Sequence, residues 1–488
     1  MTIDLLIGAS GLAATALFVY GIKRMSSPAT AHLGMKIAGA GMLVAILASF
    51  LYVFGVNEAA RPRLGTNVVL AAAALAIGLG WAWWSGKRVA ITAMPQMVAL
   101  YNGMGGGAAG AIAAAELAQP HGGGALSLAV TIVGGLIGSV SLSGSLIAWA
   151  KLDGRLNKPW RVKGQQWING AVLLSALGLG AALIARSAAG TAGGGDAPAM
   201  TAAIVLFFGA ALAFGVMMTL PIGGADMPVV ISLYNAFTGL AVGLEGFVLQ
   251  NPALMVAGMV VGSAGTLLTL LMAKAMNRSV ANVLFSNFGD VSLEASSEIK
   301  GRLKPVEASD AALSMRYAGK VIIAPGYGLA AAQAQQKLAE FVTLLQASGV
   351  EVKFAIHPVA GRMPGHMDVL LAEAGVPYDL LFELSEINDE FKTADVALVI
   401  GANDVVNPAA RSNKTSPIYG MPILNVDQAH QVYVIKRGEG RGYAGVENEL
   451  FYADNCNMIY GDARAVLAKM AQTIKELETS ASPAGAAA

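Results

Sequence analysis

Residues 3–273 form an almost unbroken series of apolar stretches, and that pattern constrains what the chain can fold into. A bilayer core about 30 Å thick takes roughly 20 apolar residues per helix. Nine stretches of that size are present, at about 3–22, 34–56, 66–84, 89–115, 125–150, 167–185, 201–219, 227–249 and 253–273. Only 13% of the 488 residues are charged, whereas soluble domains average about 25%, so much of this surface faces lipid. The first stretch begins at Ile3 with no basic segment before it and no small-residue cleavage site. It is expected to be a retained helix, not a cleaved signal.

The connecting loops support an odd number of spans. Lys23, Arg24, Lys36, Lys87, Arg88, Lys151, Arg155, Lys158, Arg161, Lys163, Lys274 and Arg278 fall on one side, and only Arg61, Arg63 and Arg186 on the other. Basic loops stay cytoplasmic. The expectation is a multi-pass protein with its N-terminus outside and everything after residue 273 in the cytoplasm. A net charge of +1 gives no reason to expect nucleic acid as a partner. One cysteine, Cys456, and five scattered histidines (His32, His121, His357, His366, His430) lack metal-ligand spacing, so no metal site is expected.

Small residues recur at helix-packing spacing, as in Gly103-x-x-x-Gly107, Gly106-x-x-x-Gly110, Gly134-x-x-x-Gly138, Gly239-x-x-x-Gly243 and Gly258-x-x-x-Gly262, a pattern that lets helix backbones approach closely. Polar residues within the spans invite a functional reading. Asn102 follows Tyr101 in the fourth span, and Asn235 follows Tyr234 in the eighth. Asp226 stands at the start of the eighth, and Ser139, Ser141, Ser143 and Ser145 line the fifth. Glu116 and Glu245 lie toward outer span ends, where they are expected to reach water. No span carries a central Lys, Arg or Asp. A chain of neutral polar groups suits the passage of protons better than that of a hydrated metal ion.

After Lys274 the sequence becomes polar. Residues 274–310 read as a linker and 311–488 as a soluble domain. Strands are expected at 320–324, 350–356, 395–400, 421–426, 431–436 and 457–460, with a helix over 329–346. The fold class that follows is a multi-pass bundle of nine membrane helices followed by an α/β, Rossmann-like, doubly wound parallel sheet. Ala324-Pro325-Gly326-Tyr327-Gly328-Leu329-Ala330-Ala331 has the G-x-G-x-x-A form of a dinucleotide-binding turn, in a strand–turn–helix context. Such glycines let the backbone approach a pyrophosphate at a helix N-terminus. The second strand ends in Ile356-His357-Pro358 with Arg362 close behind, not in the carboxylate that binds a ribose 2′-hydroxyl. That favours NADP over NAD, and Lys436-Arg437 is a second basic pair able to hold the extra phosphate. Two further loops follow strands, Gly401–Pro408 and Gly438–Gly445, the latter able to close over a cofactor. Asp404 in the first is either a carboxylate that changes protonation or a helix cap before Pro408.

Taken together, these residues resemble the β subunit of the proton-translocating NAD(P) transhydrogenase family. The resemblance rests on His357-Pro-Val-Ala-Gly-Arg-Met-Pro-Gly-His366-Met, Gly326-Tyr-Gly-Leu-Ala-Ala-Ala-Gln-Ala-Gln335, Ile400-Gly-Ala-Asn-Asp-Val-Val-Asn-Pro-Ala409, Lys436-Arg437, Gly442-Tyr-Ala-Gly445 and Gly223-Gly-Ala-Asp-Met-Pro-Val-Val230. It implies NADP(H) on this chain, in an orientation reversed from the usual, and NAD(H) on a separate α subunit. It also implies hydride transfer coupled to proton movement, in a homodimer of αβ units in a bacterial inner membrane. The cofactor contacts it implies fall on Gly326, Tyr327, Gly328, Ala330, Ala331, Val359, Ala360, Gly361, Arg362, Gly401, Ala402, Asn403 and Asp404, and on Lys436, Arg437, Gly442, Tyr443 and Ala444. Asp404 would link occupancy to protonation, Tyr443 would cover the nucleotide, and Asp226, Asn235 and Asn102 would lie on the proton path, Asn102 where some members carry a histidine. From a different class, a transporter or channel regulated by a cytoplasmic NADP-sensing domain is the alternative.

Overall fold

The computed structural model describes residues 2–55, 64–119, 124–156, 160, 162–188, 197–223, 226–285, 301–363, 365–414, 416, 418–438 and 446–481. The chain forms two compact units, Met1–Pro221 with Ile231–Leu268, and Ile222–Val230 with Thr269–Ala488.

Among the described residues, nine long helices occupy the nine apolar stretches: α1 (Thr2–Met25), α2 (Pro28–Gly55), α3 (Leu64–Gly86), α4 (Met94–Leu117), α5 (Ala125–Leu152), α6 (Gln165–Ala188), α7 (Ala197–Thr219), α8 (Met227–Val248) and α9 (Pro252–Ala275). Eight are long and apolar enough to cross a membrane by length and composition. The ninth, α4, is diluted by its glycines and Asn102. Its glycines have a packing reason. A methyl group on Gly138 of α5 would stand 2.6 Å from the carbonyl oxygen of Gly106, and one on Gly106 would stand 2.9 Å from that of Gly138. Gly239 and Gly243 of α8 meet Gly262 and Gly258 of α9 in the same way. These contacts use the small-residue spacing to bring helix backbones together. Helix α3 buries none of its residues. Its C-terminal end carries exposed Trp81, Trp83 and Trp84, with Lys87 and Arg88 laid over the last two rings, as suits an interfacial anchor.

In the second unit, α10 (Val280–Phe285) and α11 (Ala308–Arg316) precede a six-stranded, wholly parallel sheet in the order β3-β2-β1-β4-β5-β6. Its elements run β1 (Lys320–Pro325), α12 (Tyr327–Ala331), α13 (Gln335–Ala347), β2 (Glu351–Ile356), α14 (His366–Glu373), β3 (Leu381–Glu383), α15 (Leu384–Ile387), β4 (Val396–Ile400), α16 (Ala409–Ser412), β5 (Gln431–Lys436), β6 (Cys456–Tyr460) and α17 (Ala463–Ala481). The inner strands are nearly continuous apolar runs because both faces are covered; all of β4 is buried. The chain leaves β1 in one direction to β2 and β3, then returns to β4 on its other side. The loops after β1 and β4 therefore diverge at a topological switch point, where open sheets bind ligands.

Three local expectations are corrected. Residues 421–426 are no strand. Their apolar run is buried but pairs with loops: Leu424 N–H donates to Val405 O at 2.9 Å and Asn425 N–H to Asn388 Oδ1 at 2.7 Å. Pro422, having no N–H, cannot extend a ladder. The missing strand is β3, three residues at the sheet edge. The expected helix over 329–346 is broken between α12 and α13 by Gln333, whose φ is +48°. There Ala334 N–H bonds Leu329 O and Gln333 N–H bonds Ala330 O, a Schellman stop with glutamine where glycine is usual.

Candidate functional site

The turn after β1 and the loop after β4 are interlocked through their backbones. Gly326 N–H donates to Ile400 O at 2.9 Å and Gly328 N–H to Gly401 O at 3.0 Å. A methyl group on Gly326 or Gly328 would stand 2.5 Å from atoms of the β4 loop, and Gly401 itself takes φ +64°. The glycines are thus required for loop-on-loop contact, and these two amides are already engaged there. Gly401 N–H reaches back to Ile435 O at 3.4 Å, which draws the end of β5, with Lys436 and Arg437, to the same edge of the sheet. Ala330, Ala360 and Ala402 are buried.

The 357–366 loop is shaped by two buried histidines. His357 Nε2 donates to Pro422 O at 2.8 Å, and its Nδ1 accepts from Val359 N–H at 3.2 Å. Burial pulls its pKa down to about 4 against the opposing hydrogen bond to Pro422, so the neutral ring is the structural form. His366 Nδ1 accepts from Arg362 N–H at 3.1 Å. Burial, then the charge of Arg362, lowers its pKa. Position 361 requires glycine: its φ is +111°, and a methyl group there would meet the His366 ring. The result places the Arg362 guanidinium 4.2 Å from the centre of the Tyr327 ring, a cation stacked on the turn after β1.

Asp404 opens a 3-10 turn, Asp404–Val406, half-buried beside Gly401. The capping role belongs to Asn407 instead, whose Oδ1 accepts from Ala409 N–H at 3.0 Å. An asparagine network absent from the sequence reading fixes this loop. Asn448 Nδ2 donates to Asn403 O at 2.9 Å and to Asn403 Oδ1 at 3.1 Å, and Asn407 Nδ2 donates to Glu447 O at 3.0 Å. It ties the β4 loop to the segment that follows residue 445. Gly442, Tyr443 and Ala444 lie outside the described residues. The Lys436 ammonium sits 4.5 Å from the centre of the Phe451 ring.

In the helical unit, the polar groups join into one buried seam between α4, α5, α7 and α8. Asn102 Nδ2 donates to Ser145 Oγ at 3.1 Å, and Asn102 O accepts from Thr238 Oγ1 at 3.2 Å. Thr238 Oγ1 and Ser141 Oγ are 2.6 Å apart, and Ser141 Oγ donates to Tyr234 O at 3.0 Å. The Tyr234 hydroxyl in turn meets Thr219 Oγ1 at 2.5 Å. Asn235 stands beside this seam, half-buried; Tyr234, Thr238 and Thr219 make the bonds. They were missed because a tyrosine or threonine in an apolar span reads as ordinary packing. Asp226 is held in a two-pronged pair by Arg278 Nη1, at 2.9 and 3.0 Å. In the sequence Arg278 stands only as one basic residue of a loop, 52 positions from its partner.

The candidate site thus comprises a cation-lined switch point on a parallel sheet, in a chain whose other unit is that of a multi-pass membrane protein. The family model for the NAD(P) transhydrogenase beta subunit matches residues 7–473. Two Rhodospirillum rubrum proteins, each called NAD(P) transhydrogenase subunit beta, are 43% identical over 478 residues, covering 96% of this chain and 98% of theirs. With a match that spans both units, the chain belongs to the NAD(P) transhydrogenase beta subunit family.

Proposed function

We propose that the C-terminal edge of the sheet binds NADP(H), and that hydride passes between it and NAD(H) on a partner α subunit as protons cross the membrane. The observation that carries this reading is the stack of Arg362 on Tyr327 beside the interlocked β1 and β4 turns. With Lys436 and Arg437 at the end of β5, it offers fixed cations for phosphate oxygens. The residue after β2 is His357, its ring already bonded to Pro422 and Val359, so no carboxylate there opposes a ribose 2′-phosphate.

When bound, the nicotinamide supplies the hydride chemistry. The chain orients and shields it. Tyr327 and Arg362 grip the phosphates, and Gly326, Gly328 and Gly401 hold the floor of the site at backbone distance. Gly442, Tyr443 and Ala444 cover the nucleotide and exclude water, and the Asp404 carboxylate takes or releases a proton in step with occupancy. The proton route uses Asn102, Asn235 and Asp226. Coupling of this kind is reciprocal, and each charge moved is worth about 2.3 kcal/mol per 100 mV.

The arrangement in the cell follows from the same reading. Residues 1–273 form the membrane domain, 274–310 the linker and 311–488 the cytoplasmic domain. The N-terminus is outside a bacterial inner membrane, and the assembly is a dimer of αβ units. The test is co-expression with an NAD-binding partner in sealed vesicles, supplied with NADPH and an NAD+ analogue while internal pH is followed. Turnover with uncoupler-sensitive acidification is expected. Tight NADPH binding without turnover or pH change would instead indicate a transporter gated by NADP.

A further inference from the structure

Glu245 lies in the last turn of α8, where a side chain at a span end is expected to reach water. It does not: the residue is 1% exposed, and both carboxyl oxygens are buried with no hydrogen-bond partner among the described residues. It is the only buried carboxylate in the helical unit among those residues. No basic side chain pairs with it there; the charged group that acts on it is Glu116, in the last turn of α4. Its space is made by Gly134 of α5, where a methyl group would collide with Glu245 Oε1.

The position of Glu245 is not arbitrary. Tyr234, Thr238 and Glu245 recur at spacings of four and seven, so they share one face of α8. Their neighbours on α5 run the opposite way: Gly144 against Tyr234, Ser141 against Thr238, Gly134 against Glu245. Glu245 therefore terminates the same seam that holds the Ser141–Thr238 hydroxyl pair, which is bonded to the backbone oxygens of Tyr234 and Asn102, with Thr219 and Ser145 on the side chains of those two residues. Thr238 and Glu245 are about 10 Å apart along the helix. Hydroxyls and amides relay a proton but do not store one. A carboxyl group does, and a buried one without a partner is poorly suited to be a fixed charge.

We propose that Glu245 is the proton-holding group of this seam. A proton arriving from the Glu116 end forms an O–H bond with one carboxylate oxygen of Glu245. That bond breaks as the proton passes on through water to the Thr238 and Ser141 hydroxyls, restoring the carboxylate. The proposal rests on the proton-coupled reading above and names its titrating residue.

The test uses the full chain with its partner in sealed vesicles, comparing wild type, Glu245→Gln and Glu245→Asp. Turnover, internal pH and the infrared difference spectrum on NADPH addition are recorded. In Glu245→Gln, coupled turnover and acidification should fall at least tenfold with the NADPH Kd unchanged within twofold. A carboxylic-acid carbonyl band present in wild type should be absent in Glu245→Gln and shifted in Glu245→Asp. Wild-type turnover and acidification in Glu245→Gln, or a band unaltered in both variants, overturns the proposal. If the wild type moves no protons, the coupling reading fails on its own account. The infrared band, which needs only NADPH, still reports whether Glu245 exchanges a proton. If Glu245→Gln does not accumulate, the band shift in Glu245→Asp decides.

Discussion

The Arg362 guanidinium lies 4.2 Å from the centre of the Tyr327 ring, joining the loop after β2 to the turn after β1. The same arginine donates its backbone N–H to His366 Nδ1. Its side chain and its main chain are thereby fixed together, and the cation is presented at the switch point already oriented.

Arg362→Ala should weaken NADPH binding by about 10- to 100-fold, the scale of a lost charge-assisted contact of roughly 1.5–3 kcal/mol. Arg362→Lys should fall between, because an ammonium keeps the charge but not the planar face that stacks on Tyr327. NADPH titration of the full chain measures both. Removing the charge should also raise the His366 pKa, since Arg362 helps to depress it. Equal affinity in all three proteins would confine Arg362 to packing.

The glycines of the site divide by what surrounds them. Gly401 has φ +64°, and a methyl there would stand 2.6 Å from the Gly328 carbonyl carbon, whereas one on Gly438 would meet nothing within 4 Å. Gly401→Ala should therefore cost stability by about 1–3 kcal/mol through strain and overpacking and should abolish tight NADPH binding. Gly438→Ala should be close to neutral in stability. Thermal unfolding of the domain with and without NADPH separates the two. A Gly401→Ala protein that melts and binds like wild type would show that the loops can part without loss.

How much of this was legible beforehand follows from the range of each interaction. Lys320–Pro325 and Val396–Ile400 are visible as strands because burial on both faces writes an unbroken apolar run. Edge strand β3 is three residues long and only partly buried, so it leaves no pattern. Ala330, Ala331 and Ala332 favour helix, and the stop at Gln333 comes from a backbone turn that glutamine does not announce. The turn Gly326–Gly328 is visible as a motif, but its bond to Gly401 joins residues far apart in the chain. The same holds in the membrane, where Thr238 reaches Asn102 across 136 positions. Local periodicity reports which face is buried, not which partner waits there.

His357 gives the domain a pH limit. Its folded pKa, near 4, lies below the ordinary value of 6.5 because burial disfavours the charged ring. The unfolded chain therefore binds a proton first as pH falls. The stabilising term is complete above about pH 6.5 and is lost progressively toward pH 4, amounting to about 3 kcal/mol. Hydrogen exchange at Val359, whose N–H is bonded to His357 Nδ1, should accelerate over that window after correction for intrinsic rates. His357→Gln should flatten the dependence, and exchange that stays constant from pH 7 to 4 in the wild type would contradict the assignment.

The pair of Asp226 and Arg278 should behave as a unit. The Asp226 side chain is 3% exposed and that of Arg278 13%, so removing either partner strands a largely buried charge, a loss of roughly 3–5 kcal/mol when burial is complete. Asp226→Ala and Arg278→Ala should each reduce the amount of folded protein in the membrane and its turnover severely. The double variant, with no stranded charge, should recover folded protein relative to either single change. Its turnover separates structure from mechanism. If folded protein returns and turnover returns with it, the pair only holds Asp226 beside Arg278. If folded protein returns while turnover stays at the level of the single variants, the pair takes part in the reaction beyond holding the fold. Strictly additive losses in folded protein would mean the two side chains do not compensate each other, contrary to the two-pronged geometry at 2.9 and 3.0 Å.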